Sequence, residues 1–276
     1  MTDVTPELLP HPRVLAAFGL TGRPVLLAGG QGQSVFAGGA VLKPAGSAEG
    51  VEWAAELFAG VQGDERFRVP RPLRSAAGGY VVDGWMASEF VAGESGPAGR
   101  WDELLVAGRA FHRALRTVSR PEVLDREQHR WAVADRVAWG ETTVAVPPDV
   151  REPLRGLCAL LQPVEAPSQL IHGDLTGNVL FAPRLAPAVI DFSPYWRPVS
   201  YADAIVAADG LLYYDEDREL VESAVPGADG LQMLVRALIF RLVALAVPPG
   251  PEGVVPVDEM RRFTRVGDRV GRWIVG

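Results

Sequence analysis

From Pro24 to Pro44 the chain reads PVLLAGGQGQSVFAGGAVLKP: three short apolar runs, Val25–Ala28, Val35–Ala37 and Ala40–Lys43, parted by glycine turns. Runs of this length bounded by Gly and closed by Pro predict a three-stranded meander. The period then changes. Over Val51–Val61, Trp53, Leu57 and Val61 recur at i, i+4, i+8 with Ala54 and Phe58 beside them, which predicts a helix. Two further strand-like runs, Tyr80–Asp83 and Trp85–Phe90, meet at Asp83-Gly84, and strand character ends near Val91. The stretch AGESGPAG, Ala92–Gly99, reads as a linker.

Beyond the linker the pattern is helical. Leu104, Leu105, Ala107, Phe111, Ala114, Leu115 and Val118 form one apolar face, with His112 in it as a packing or capping residue. Trp131, Asp135 and Trp139 recur at i, i+4, i+8, and Val150–Val164 predicts another helix. The stretch LIHGDLTGNVLF, Leu170–Phe181, reads as an apolar entry, a polar loop and a short strand; after the turn APRLAPA, Val189-Ile190 leads to Asp191. Leu234–Val247 is the most apolar segment, but it is shorter than the about 20 residues of a membrane span and carries Arg236 and Arg241, so it reads as a buried helix. A last helix over 257–275, with Met260, Phe263, Val266 and Val270 on one face, closes the helical part or forms a dimer contact. The class is α+β: a small antiparallel sheet with one helix over residues 1–91, then a larger, mainly helical part over 92–276. A chain of 276 residues exceeds what one core usually fills, in keeping with two lobes.

Composition narrows the partners. Hydrophobic residues make up 48% and charged ones 22%, as in a globular protein. The net charge of −7 argues against a nucleic-acid surface. One cysteine, Cys158, has no internal disulfide partner, and the segment MTDVTPELLPHP lacks the basic and apolar regions of a signal peptide, so a cytoplasmic location is expected. The 27 basic residues comprise 26 Arg and one Lys, Lys43. An ammonium is a compact point charge on a thin stem, suited to a narrow phosphate site where a planar guanidinium is not.

The residues around Lys43 fit that use. Gly29, Gly30 and Gly32 allow backbone amides close to an anion, and Ser34 adds a hydroxyl. Glu52 and Glu56, one helical turn apart, are both candidates to pair with Lys43. Farther along, Asp174 and Asn178 precede a hairpin that Asp191 follows, so the turn brings both ends together. Two carboxylates and an amide make an oxygen-rich pocket suited to Mg²⁺, with Asp191 and Asn178 as ligands and Asp174 left to orient or deprotonate a hydroxyl.

In this order the glycine-rich turn, strand Lys, helix Glu, His-Gly-Asp with a following Asn, and Asp-Phe resemble the protein-kinase-like phosphotransferases. The Gly after His marks the aminoglycoside-phosphotransferase and choline-kinase branch; protein kinases carry Arg there. The resemblance implies a bilobal fold with ATP and Mg²⁺ as cofactors. It implies Lys43 on the α and β phosphates, Glu52 holding Lys43 with Glu56 as alternate, Asp174 as base, and Asn178 and Asp191 on the metal. By the same resemblance Glu89, Phe90 and Val91 form the adenine-binding hinge, His172 braces the loop, and Asp203 either anchors the loop or simply opens a helix. Two departures stand out: four steps instead of five separate Asp174 from Asn178, where Gly177 can absorb the difference, and Asp-Phe-Gly becomes Asp191-Phe192-Ser193-Pro194.

The expected activity is transfer of the ATP γ-phosphate to a hydroxyl of a small molecule such as an aminoglycoside, amino sugar or other metabolite. The segment SPYWRPVSY with Arg197 is expected to border the acceptor. The acidic run Asp209, Asp215, Glu216, Asp217, Glu219 and Glu222 suits a cationic acceptor or is simply solvated. No nucleic acid or membrane partner is expected, and the chain would act as a monomer or homodimer. The alternatives are an impaired nucleotide-binding relative, or a protein kinase or nucleotidyltransferase on the same fold.

Overall fold

In the computed structural model, which describes residues 9–27, 33–247 and 255–276, the chain divides into two compact units. The elements run α1 (Pro12–Ala17), β1 (Val25–Leu26), β2 (Val35–Ala37), β3 (Ala40–Pro44), α2 (Ala48–Gly60), β4 (Val81–Val82), β5 (Trp85–Glu89), β6 (Glu94–Ser95) and α3 (Trp101–Leu115). Then follow α4 (Val123–Arg126), α5 (Arg130–Ala138), α6 (Pro148–Ala159), β7 (Gln169–His172), β8 (Val179–Ala182), β9 (Leu185–Val189) and β10 (Pro194–Arg197). Four helices close the chain: α7 (Val199–Tyr213), α8 (Arg218–Ala224), α9 (Gly227–Ala246) and α10 (Val257–Val275).

The first unit holds residues 1–94 together with 180–190. Its antiparallel sheet has the order β1-β2-β3-β5-β4. Alternation decides which side chains are inside: Val35, Ala37 and Leu42 join Val14, Leu15, Phe18 and Ala87 in one apolar cluster. Lys43, one step from Leu42, therefore leaves the opposite face of β3, in register with Met86 on β5. At the β4–β5 turn Asp83 and Gly84 take φ of 49° and 76°, the left-handed pair that a tight hairpin requires. Ser47 caps α2 by accepting from the Gly50 N–H, and Ala55 and Phe58 form the buried face of that helix.

Residues 180–190 join this unit through Arg68. The Arg68 N–H donates to the Pro187 carbonyl at 2.9 Å, the Val189 N–H returns to the Arg68 carbonyl at 2.8 Å, and the Arg68 guanidinium reaches the Ala186 carbonyl. The part of APRLAPA beyond its turn is thus a strand, β9, despite Pro187. It is an edge strand in the order β6-β8-β9, where a missing N–H costs no ladder bond.

The second unit holds residues 95–179 and 191–276. Helix α9 is its axis, buried nearly throughout, with α5, α6, α7 and α10 packed around it. The expected C-terminal helix appears as α10 over 257–275, burying Phe263, Val266 and Val270. The expected helix at 150–164 ends earlier, at Ala159. The SPYWRP segment is also a strand, β10, paired antiparallel with β7 so that Pro194 faces His172 and Tyr195 faces Ile171. Pro194 occupies the first strand position, where proline is tolerated.

Candidate active site

Lys43 is half-buried on β3. Glu52 of α2 accepts the Tyr80 and Val81 N–H groups through Oε1, at 2.7 and 3.1 Å, and so ties the helix to the start of β4. Glu56 is instead exposed and ion-paired with Arg74 at 2.6 Å. Of the two candidates, Glu56 is the one with a cationic partner of its own on the surface. Ser34 stands just before β2, its carbonyl accepting the Leu27 N–H. Gly30 and Gly32 lie outside the described residues. At the end of β5 the Glu89 and Phe90 N–H groups already donate to the Arg71 and Gly39 carbonyls, at 2.8 and 2.9 Å.

In the second unit the His-Gly-Asp loop is held from several sides. His172 is fully buried at the end of β7. Its Nδ1 accepts the Asp174 N–H at 3.1 Å and the Ser193 N–H at 3.4 Å, so one imidazole joins the loop to the segment that follows Asp191. Accepting at Nδ1 puts the proton of the neutral ring on Nε2. Behind it, His112 of α3 accepts the His172 N–H through Nε2 at 3.0 Å. Burial, reinforced by His172, pushes His112 down to about 3, so it stays neutral and keeps this acceptor. Gly173 has no room for a side chain: a Cβ there would meet Tyr195 at 2.4 Å. Leu175, fully buried, sits against Gly108 of α3 and anchors the loop from below.

The shortened spacing still closes. Gly177 takes φ of 84°, a conformation other residues avoid, and the turn delivers the Asn178 Nδ2 to the Asp174 carbonyl at 2.7 Å and to Asp174 Oδ2 at 3.0 Å. The amide spends its donor end on Asp174, and its oxygen accepts no hydrogen bond among the described residues. Asp191 is exposed with φ of 51°, a left-handed conformation unusual outside glycine and concentrated at functional sites. Among the described residues no group of three or more His, Cys, Asp and Glu gathers as a metal site. Mg²⁺ needs fewer protein ligands than that, and the donors offered by Asn178 and Asp191, an amide oxygen and a carboxylate, suit a hard cation.

Asp174 has a partner that sequence reasoning missed. Its side chain is 41% exposed, and Oδ1 accepts Nη2 of Arg241 from α9 at 2.8 Å. Arg241 is in turn gripped by Asp209 of α7, with Nε on Oδ1 at 2.8 Å and Nη2 on Oδ2 at 2.6 Å. Burial works against the Arg241 charge, but the Asp209 and Asp174 carboxylates outweigh it and raise the group further. The available signal was an arginine inside the most apolar helix, because a buried charge requires a buried partner.

Other expectations changed. Arg197 does not present a charge to an acceptor: it is nearly buried, bonded to both oxygens of Asp135 and to Glu141. Asp203 neither anchors the catalytic loop nor opens a helix; it lies inside α7, its Oδ2 bound to Arg109 of α3 at 2.7 Å, and burial raises it to about 6. Much of the acidic run is also committed, with Asp209 on Arg241, Glu216 on the Trp101 indole, Asp217 capping α8 and Glu222 on Arg218. Trp131 and Trp139 pack against Phe240 and Tyr201. No helix among the described residues is long and apolar enough to cross a membrane.

The model of the phosphotransferase enzyme family matches residues 1–195. No curated protein matches the chain. Among solved structures, a thermostable mutant of aminoglycoside phosphotransferase APH(4)-Ia in ternary complex with AMP-PNP and hygromycin B superposes with a TM-score of 0.60 at 14% identity, covering 96% of this chain and 98% of that one. Spectinomycin phosphotransferase APH(9)-Ia, in complex with ADP and spectinomycin, gives 0.58 at 13%, covering 94% and 97%. Choline kinase LicA from Streptococcus pneumoniae gives 0.57 at 12%, covering 94% and 97%. At these identities the likeness establishes the fold, a kinase-like one with an antiparallel-sheet N-terminal part and a helical C-terminal part.

Proposed function

The chain belongs to the phosphotransferase enzyme family, and from that premise we propose that it transfers the γ-phosphate of ATP, with Mg²⁺, to a hydroxyl of a small molecule. The observation that carries the reading is the held carboxylate of Asp174: partly exposed, fixed at both oxygens, and next to an amide whose oxygen is left for a cation. Asp174 accepts the proton of the acceptor hydroxyl as its oxygen bonds to phosphorus and the bond from phosphorus to the ADP oxygen breaks. Asn178 and Asp191 hold Mg²⁺, which when bound offsets the charge that develops on the phosphoryl oxygens. Lys43 lies on the nucleotide phosphates, Glu52 orients it, and Glu89–Val91 receive the adenine. Gly30, Gly32 and Ser34 belong to the phosphate-facing turn in this proposal.

Positioning and cationic stabilisation supply most of the acceleration in such transfers. The shorter Asp174–Asn178 spacing and the altered Asp-Phe-Ser are the reasons to expect an impaired binder, and the two bonds from Asn178 to Asp174 weigh against the first.

The first test is a thermal shift with ATP, with and without Mg²⁺. Hits lead to an acceptor screen that reads ADP formation over aminoglycosides, amino sugars, amino alcohols and neutral polyols. Cationic and neutral members separate the acceptor classes, and α- versus γ-labelled ATP separates nucleotidyl from phosphoryl transfer. Failure of any nucleotide to stabilise the protein under every metal condition would sink the reading.

A further inference from the structure

Three charged side chains of the second unit form a continuous chain centred on Arg241: Asp209 on α7, Arg241 on α9 and Asp174 in the catalytic loop. We propose that Arg241, clamped by Asp209, is the positioning residue that sets the plane of the Asp174 carboxylate for the acceptor hydroxyl. This rests on the reading of Asp174 as the base.

The geometry argues for positioning over mere packing. A guanidinium is a rigid fork, and here both forks of its reach are used: Nε and Nη2 close on the two oxygens of Asp209, which fixes the guanidinium plane. The same Nη2 then presents a donor to Asp174 Oδ1 in a direction that the buried helices determine. The Asn178 amide takes Oδ2. With one donor on each oxygen the carboxylate cannot rotate about its Cβ–Cγ bond without losing both. The side chain is still 41% exposed, which leaves the held carboxylate accessible to a hydroxyl. Asp209 also answers the question of charge: Arg241 is buried, and Asp174 alone, partly solvated, would leave it undercompensated.

Misplacing a reacting group by about 1 Å costs about 100-fold, so loss of the clamp should appear in turnover and leave nucleotide affinity alone. The experiment is the double variant Arg241→Met/Asp209→Asn, which removes both buried charges together and so avoids an unpaired one. Phosphate release from Mg²⁺-ATP, with water as acceptor, is compared with the wild type. The expected result is an unchanged melting temperature, kcat lower by about 10–100-fold and KM for ATP within about twofold. A further expectation is that the double variant adds no loss in an Asp174→Ala background, because Arg241 acts through Asp174. Wild-type turnover in the folded double variant, or a full additional loss in the Asp174→Ala background, overturns the proposal.

Should the double variant not fold, Arg241→Lys decides. An ammonium keeps the charge but cannot serve Asp209 and Asp174 in fixed directions, so kcat should fall several-fold with KM unchanged, and wild-type kcat overturns the proposal. A second readout is independent of turnover: the ¹⁵N-labelled Arg241 Nη2–H resonance, the donor to Asp174, should shift in Asp174→Ala, and an unshifted signal means the pair is not formed. If Asp174→Ala keeps wild-type turnover while that resonance shifts, the base assignment fails and the clamp stands.

Discussion

Lys43 and Asp174 are held by different physics. Lys43 rides on a strand fixed by ladder hydrogen bonds and by the burial of its neighbour Leu42, all within about 50 residues of chain. Asp174 is fixed by side chains, some near in sequence, His172 and Asn178, and others distant, His112 behind His172 and Arg241 with Asp209 behind it. A backbone ladder sets where a residue sits, whereas a network of side-chain bonds also sets how its terminal atoms point. The chemistry makes the same division, since a phosphate tolerates a mobile ammonium while a hydroxyl must meet a carboxylate oxygen in a narrow range of directions.

The largest effect should follow from removing the directed group. Asp174→Ala should lower turnover by about 10²–10⁴-fold while the Mg²⁺-dependent thermal shift with ATP persists. Steady-state kinetics beside the melting curve checks this, and retained turnover would remove Asp174 from the base role. Lys43→Met should lower kcat/KM by about 10²–10³-fold, the scale of one lost cationic or hydrogen-bonding stabiliser. Here the contrast sharpens: Lys43→Arg keeps a charge on the same ladder and should recover part of the loss, while Asp174→Glu, displaced within a fixed frame, should recover little. Equal recovery in both would erase the distinction.

The same distinction explains what could be read from the chain. The strands β2, β3 and β5, the Asp83-Gly84 turn and α10 follow from periods of 2 and 3.6 and from turn chemistry, which are local. Asp174, Asn178 and Asp191 were visible as a motif, and so was Gly177 as the residue able to tighten the loop. Arg241, Asp209 and His112 as supports were not, because pairing across 30 to 70 residues leaves no local periodicity. The first part of β9, ahead of Val189, and all of β10 were hidden by Pro187 and Pro194, which local rules read as turns and which edge or first-position placement makes harmless. The acidic run pointed to a cation, but the fold commits four of its members internally.

A smaller effect, on stability, tests how tightly the loop is framed. Gly173→Ala would place a Cβ 2.4 Å from the Tyr195 ring on the neighbouring strand, so Tyr195 or the β7–β10 ladder must shift. Overpacking of this kind costs about 1–3 kcal/mol, read as a lower urea midpoint. An unchanged midpoint would mean that the frame yields at no cost.

The smallest expected effect is a pH dependence that isolates the buried histidine. His112 is held near 3 against an ordinary 6.5, so its contribution is full above 6.5 and is lost as pH falls from there toward 3, while the unfolded chain takes up the proton. Asp203 is raised to about 6 against 3.8, so its contribution is full below 3.8 and is lost as pH rises through about 6. Between pH 7 and pH 5 the two oppose each other, and the wild type should change little on their account. His112→Gln offers an acceptor to the His172 N–H without a titrating group, leaving Asp203 unopposed. Relative to the wild type, that variant should gain about 2 kcal/mol on going from pH 7 to pH 5, at 1.36 kcal/mol per unit. Urea unfolding of both proteins at the two pH values measures the difference, and parallel curves would mean that His112 takes up a proton in the folded loop and is not the neutral acceptor that the bond to His172 requires.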